Sequence, residues 1–407
     1  MHAEVAKSTE FYSLSCITLA LKGSQTSLRQ ECAKHPLTAH PLTVHRLRHR
    51  NTKFMRKYLL FILLAFHVIV FANNSKDTLF VVESFAFEAK DGLKMEGALT
   101  LPENLTEQTK IAVLVAPPFA MDKNYGGMFL SLAERLGKHG IATFRFNNRA
   151  LTDTAMVAAN ERVTMYDHAD DVHYAISAIM KDKRFAKNPI GLIGHSEGGC
   201  CSIIETSRNK DIDFLVTLST CGIDGADFCY WQNTMRFSYP NDFPTDARNM
   251  VVRDIYERTQ IVKRLNDMKE METALMSQIN ESAVRMGVQY TEEQVNKFLK
   301  EWTVPRTIAF VKYNPDTYLS KIACPVLATH GTADGMVEWK THLDGIEKSF
   351  FKSGKTNYRI MTFKDTDHSY QYAQTIVPFF IPVNRSKPEF VEENWDKIAG
   401  WLINNYR

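Results

Sequence analysis

From Thr78 onward the chain alternates short apolar runs with longer stretches in which apolar residues recur every three or four positions. The first runs, TLFVVESFAFEA and LKMEGALTL, flank Asp91 and Gly92, a turn pair that predicts an antiparallel hairpin. KIAVLVA then reads as a buried strand, MFLSLAERLGKHG as an amphipathic helix stopped by Gly140, and IATFRF as another strand. A helix over YDHADDVHYAISAIMKD, a strand at PIGLIG, a helix opening after Ser196 and a strand at DFLVTLS continue the beat. Strands joined by helices pair in parallel and need cover on both faces, so the pattern predicts an α/β fold with a mostly parallel central sheet.

Between residues 224 and 309 the beat breaks. DARNMVVRDIYERTQIVKRLNDMKEMETALMSQI is charged and helical, and Thr291 with Gln294 forms a capping box ahead of EEQVNKFLKEW. The segment is expected to be an inserted helical cap, with Met250, Met268, Met271, Met276 and Trp302 packing its interior. After VPRTIAFVKYNPDTYLSKI the strands return at CPVLATHG and YRIMTFKD, and EENWDKIAGWLINN closes the chain as a helix. The expected organisation is a first core part over 73–223, the cap over 224–309 and a second core part over 310–407.

A length of 407 residues with 44% apolar and 11% aromatic residues is enough for a large core. The net charge of +3 hides an asymmetry: residues 1–72 hold ten Lys or Arg against three Glu, a balance of +7, which leaves −4 for the rest. A mildly acidic body gives no electrostatic reason to expect nucleic acid as a partner. The basic excess precedes MRKYLLFILLAFHVIVFANNSKD, which sets two cations, an apolar run from Tyr58 to Ala72 and small residues in the order of a secretory signal. That run of 15 residues, interrupted by His67, is short of the roughly 20 that span a bilayer. Residues 55–72 are therefore read as a cleavable signal peptide that exports the chain, with no stable membrane span left behind. Residues 1–54 are expected to be disordered or to lie upstream of the true start. Five cysteines follow the signal, an odd number without CxxC pairs, which argues against a zinc site or a disulfide framework. One bridge, Cys221 to Cys229, stays open as a possibility, and no metal or cofactor is expected.

The chemistry is concentrated in NPIGLIGHSEGGCC. Ser196 stands between Gly194 and Gly198 where a strand ends and a helix begins, and flanking glycines allow a bend tight enough to push the serine oxygen clear of the backbone. The N-terminus of the helix behind it points N–H groups at any negative charge formed there. A serine hydroxyl needs a base, and the base needs a carboxylate to orient it. Asp334, in the loop after one strand, and His368, in the loop after the next, supply acid and base in the chain order serine, aspartate, histidine. Asp365 and Asp367 lie too close along the chain to His368 to orient it, while Asp224 is a second choice for the acid. His195 and His330 read as local hydrogen-bonding residues, and the Glu197 side chain as a packed or paired carboxylate. The backbone N–H of Glu197 is one expected oxyanion donor; the other should come from APPFAMDKNYGG, where Pro117 and Pro118 have no N–H, leaving Phe119 or, in second place, Ala120.

From about Asp77 to Arg407 the chain resembles the alpha/beta-hydrolase superfamily, and within it secreted bacterial esterase-like hydrolases of the serine aminopeptidase-like S33 group. The stretches that carry the resemblance are GALTLP, GIATFRFNNRA, GLIGHSEGG, VPRTIAFVKYNPDTYLSKIACPVLATHGTADGMV and DHSYQYAQT. The resemblance implies an alpha/beta-hydrolase fold with Ser196 as nucleophile, Asp334 as acid and His368 as base. It departs from the family pattern at Pro117 and Pro118, in place of a glycine-rich oxyanion loop, and at Asn147 and Asn148, in place of paired aspartates before Arg149. The expected activity is carboxylic ester hydrolysis on a small-molecule substrate. A serine peptidase with the same triad and a non-catalytic binding protein on the same fold are the alternatives. For the peptidase, Glu270, Glu272 and Glu281 are the cap carboxylates that could meet a substrate amino terminus.

Overall fold

A computed structural model of the chain describes residues 79–152, 160–238, 244–376 and 389–404. The expected signal segment and residues 1–54 lie outside the described residues. The hairpin turns at Asp91 and Gly92 and pairs β1 (Phe80–Glu88) antiparallel with β2 (Lys94–Pro102). The parallel strands are β3 (Ile111–Val115), β4 (Ala142–Phe146), β5 (Ile190–His195), β6 (Phe214–Leu218), β7 (Val326–Gly331) and β8 (Tyr358–Phe363). They assemble with the hairpin into one eight-stranded sheet in the order β1-β2-β4-β3-β5-β6-β7-β8, in which β1–β2 and β2–β4 pair antiparallel and the remaining pairs are parallel.

Every residue of β3 is buried, and alternate side chains serve opposite cores. Ile111, Val113 and Val115 meet the core beneath α2 (Met165–Lys181) and α3 (Glu197–Arg208), while Ala112 and Leu114 meet the core beneath α1 (Met128–Lys138) and α10 (Glu392–Asn404). This two-sided burial is why the central strands read as continuous apolar runs. β3 lies between β4 and β5, so the chain leaves it on one side and returns on the other. Such a switch point opens a crevice at the carboxyl ends of the strands.

Between β6 and β7 the described chain is helical: α4 (Gly225–Thr234), α5 (Thr245–Arg264), α6 (Met268–Met286), α7 (Glu292–Thr303) and α8 (Pro305–Val311). The expected capping box is present, with Gln294 N–H donating to Thr291 Oγ1 at 3.3 Å and Thr291 N–H to Gln294 Oε1 at 2.8 Å. Met271 and Trp302 are buried as expected, but Met268, the first residue of α6, is 43% exposed and is not part of that core. Polar groups are buried there too: the Asp254 carboxylate accepts from buried Gln278 Nε2 at 3.1 Å and pairs with half-buried Arg285 at 2.5 Å. α9 (Trp339–Ser353) makes the crossover from β7 to β8. The five cysteines among the described residues are free thiols, so no bridge joins Cys221 and Cys229. Among the described residues no helix is long and apolar enough to cross a membrane.

Candidate active site

Three strand ends bring the predicted residues to one rim of the sheet. Ser196 follows β5 directly with φ 54° and ψ −126°, a left-handed conformation that a non-glycine residue holds only when its surroundings impose it. Its N–H donates to the Leu218 carbonyl at 2.8 Å, fastening the bend to β6. The flanking glycines are required by close approach. A Cβ on Gly194 would run into Gly198 and Ser202, and one on Gly198 into the backbone of Val115 and Ala116 at the end of β3. Glu197 begins α3, so its N–H belongs to the unpaired first turn of the helix, where anions are favoured.

Asp334 and His368 meet although 34 residues separate them, with His368 Nδ1 2.8 Å from Asp334 Oδ2. A carboxylate only accepts, so Nδ1 carries a proton, which leaves Nε2 as the ring nitrogen that can take up another. The second carboxylate oxygen accepts N–H bonds from Met336 and Val337, each at 2.8 Å. Burial alone would raise the Asp334 pKa, but the charge and hydrogen bond of His368 outweigh it and hold the group down at about 2. Its rivals are employed elsewhere. Asp224 caps α4 through the Ala226 N–H and pairs with Lys263, and Asp367 accepts from Ser369 and Gln371 within its own loop.

His195 departs from the expectation of a local role. Its Nε2 lies 2.7 Å from the carbonyl of His368, 173 residues away, and the two rings pack with centroids 4.7 Å apart. Because a carbonyl cannot donate, His195 Nε2 bears the proton and Nδ1 accepts from the Tyr125 hydroxyl at 3.1 Å. Burial, then the neighbouring His368, push the His195 pKa down to about 3, which keeps the ring neutral. The loop of His368 is thereby tied to the residue before Ser196. No hydrogen bond joins Ser196 Oγ to His368 among the described residues; in substrate-free sites such contacts often tighten only on binding. His330 combines a local and a distant contact: its Nδ1 lies 3.9 Å from Asp334, four residues on, and its Nε2 meets the Thr220 carbonyl at 3.1 Å.

The loop after β3 holds a second difference from expectation. Phe119 N–H donates to the Pro117 carbonyl at 2.7 Å, and Ala120 N–H to Asn160 Oδ1 at 2.8 Å, so both candidate donors of this loop are engaged. Asn148, in place of an expected aspartate, explains how the loop is held: its Nδ2 donates to the carbonyls of Pro117 at 2.6 Å and Phe119 at 2.9 Å. An aspartate has no such donor. Asn147 accepts the Lys123 N–H at 2.9 Å. The Glu197 carboxylate is paired, as expected, and its partner is Arg306 of α8, a residue not among those expected at the site. The available signal was a lone cation in the otherwise apolar VPRTIAFV, since a charge carried into a core needs a partner. Glu270, Glu272 and Glu281 are exposed on α6. Among the described residues no group of three or more His, Cys, Asp or Glu is placed to hold a metal ion.

No family model matches the chain, and no curated protein matches it by sequence. Solved structures with a similar arrangement include Est1E from Butyrivibrio proteoclasticus, at 14% identity and a TM-score of 0.45, covering 79% of this chain and 98% of that one. An esterase from Pyrococcus furiosus is similar at 15% identity and a TM-score of 0.47, covering 82% and 94%. An acylaminoacyl peptidase from Pyrococcus horikoshii matches at 14% identity and 0.48, covering 81% of this chain but 42% of its own. The eight-strand order, the antiparallel second strand and the strained serine bend between β5 and α3 make this an alpha/beta-hydrolase fold.

Proposed function

We propose that the protein is a serine hydrolase that cleaves carboxylic esters by way of an acyl-enzyme. Ser196 Oγ attacks the ester carbonyl while His368 Nε2 takes the hydroxyl proton. The tetrahedral oxyanion is held by the Glu197 N–H, while the expected second donor, the Phe119 N–H, is engaged by the Pro117 carbonyl. Collapse expels the alcohol, which takes the proton from His368; water then repeats the sequence and frees the acid. Asp334 keeps the imidazole in the tautomer this requires. The single observation that carries the reading is the 2.8 Å Asp334–His368 bond in a loop fastened to the residue preceding a strained serine.

Turnover of p-nitrophenyl butyrate tests it: Ser196→Ala should lower kcat by roughly 10⁴-fold or more, with a fluorophosphonate probe labelling Ser196 in the parent protein. Undiminished turnover in that variant, or no labelling, would overturn the proposal. Cleavage of aminoacyl anilides but not of simple esters would move the activity to peptide substrates. The same proposal has residues 55–72 removed on export, which N-terminal sequencing of the secreted protein checks.

A further inference from the structure

Arg306 joins the start of α3 to the loop after β3. It is buried on α8, at the end of the helical insertion, and its guanidinium is ion-paired with the Glu197 carboxylate. Nη1 donates to the Pro118 carbonyl at 3.1 Å, and the guanidinium carbon lies 3.4 Å from the centroid of the Phe119 ring. The Pro118 carbonyl and the Phe119 N–H are opposite ends of one planar peptide. With Arg306 on the oxygen, the N–H points at the Pro117 carbonyl, so the guanidinium holds the turn of this loop. A cationic donor on that oxygen also polarises the amide and strengthens the N–H as a donor. At its other end the same side chain holds the residue whose N–H is the oxyanion donor.

On the serine-hydrolase reading above, we propose that Arg306 is a positioning residue that fixes the Glu197 N–H, the oxyanion donor, by bracing the start of α3 against the loop after β3, and so couples the cap to the chemistry. The fork geometry is essential to that role. A lysine ammonium is a single point charge that cannot bond Pro118 and Glu197 in the same arrangement while lying flat on an aromatic ring. The interaction counts in the transition state, where negative charge sits on the oxygen, and little in the ground state.

The test compares the parent protein with Arg306→Lys and Arg306→Met. It measures kcat and KM on p-nitrophenyl butyrate and inhibition by a trifluoromethyl ketone, which forms a tetrahedral oxyanion on the serine. The expected result is a fall in kcat of about 100-fold, a matching loss of affinity for the ketone, and KM held within about threefold. Circular dichroism checks that the variants are folded, and if Arg306→Met fails to fold, Arg306→Lys carries the test. Folded variants with kcat and ketone inhibition unchanged would overturn the role of Arg306 while Ser196 labelling in the parent protein upholds the hydrolase reading. A parent protein that the fluorophosphonate does not label removes both.

Discussion

Asn148 shows how much one side chain decides. Buried, it spends both amide hydrogens on the carbonyls that shape the loop after β3. Both carbonyls keep a backbone donor, but Asn148→Asp replaces two further hydrogen bonds, of about 0.5–1.5 kcal/mol each, by a buried carboxylate facing two carbonyl oxygens. Urea unfolding at pH 7 should show a loss of about 2–4 kcal/mol, together with reduced turnover. A variant as stable and active as the parent would show that the loop is held by something else. At this scale the legible residues were those whose evidence is local. Ser196 carries its glycines with it, and Asp334 and His368 each follow a strand. Arg306 was not legible because its partner Glu197 is 109 residues away, and the contact exists only once α8 has docked on the elbow. For the same reason His195 was read as local although its acceptor is the His368 carbonyl. The engagement of the Phe119 N–H could not be read either, since it depends on the turn the two prolines impose.

Elements were easier, because period and punctuation are written along the chain. The Asp91–Gly92 hairpin, the stop at Gly140 with φ +77°, and the Thr291–Gln294 box all formed where their residue chemistry places them. α9 was not named in the pattern, yet the parallel pairing of β7 with β8 demands a crossover of its length. What periodicity cannot supply is how closely elements approach. α3 meets the end of β3 so tightly that a Cβ at Gly198 has no room against the Val115 and Ala116 backbone. Backbone cannot step aside as a side-chain tip can, so Gly198→Ala must shift α3 or the strand end. Thermal unfolding should report a loss of at least about 1–3 kcal/mol. Turnover should fall too, because the shift moves the Glu197 N–H. An alanine variant with parental melting and kcat would mean that α3 sits further from β3 than described.

For the whole molecule, the strand order was beyond reading, since nothing local says that β4 lies outside β3. That order packs the carboxyl ends of β5 and β7 against the loops of the site and carries His195 and His330 into full burial. Burial lowers both pKa values to about 3 from 6.5. Below pH 6.5 the unfolded chain takes up two protons that the folded chain refuses, so each histidine stabilises the fold fully above that pH and progressively less as pH falls towards 3. Near pH 5 the difference of about two protons gives a slope of about 2.7 kcal/mol per pH unit. Asp334, held down at about 2 against 3.8, acts in the same direction but only below about pH 4. Urea unfolding at pH 7, 6 and 5 should therefore show stability falling ever more steeply. Replacing both histidines in His195→Gln/His330→Gln should flatten that fall, even though the parent is the more stable protein at pH 7. If parental stability stays level from pH 6.5 to 5, the two rings are not held neutral in the folded state, and the proton placement deduced for the His195–His368 contact goes with them.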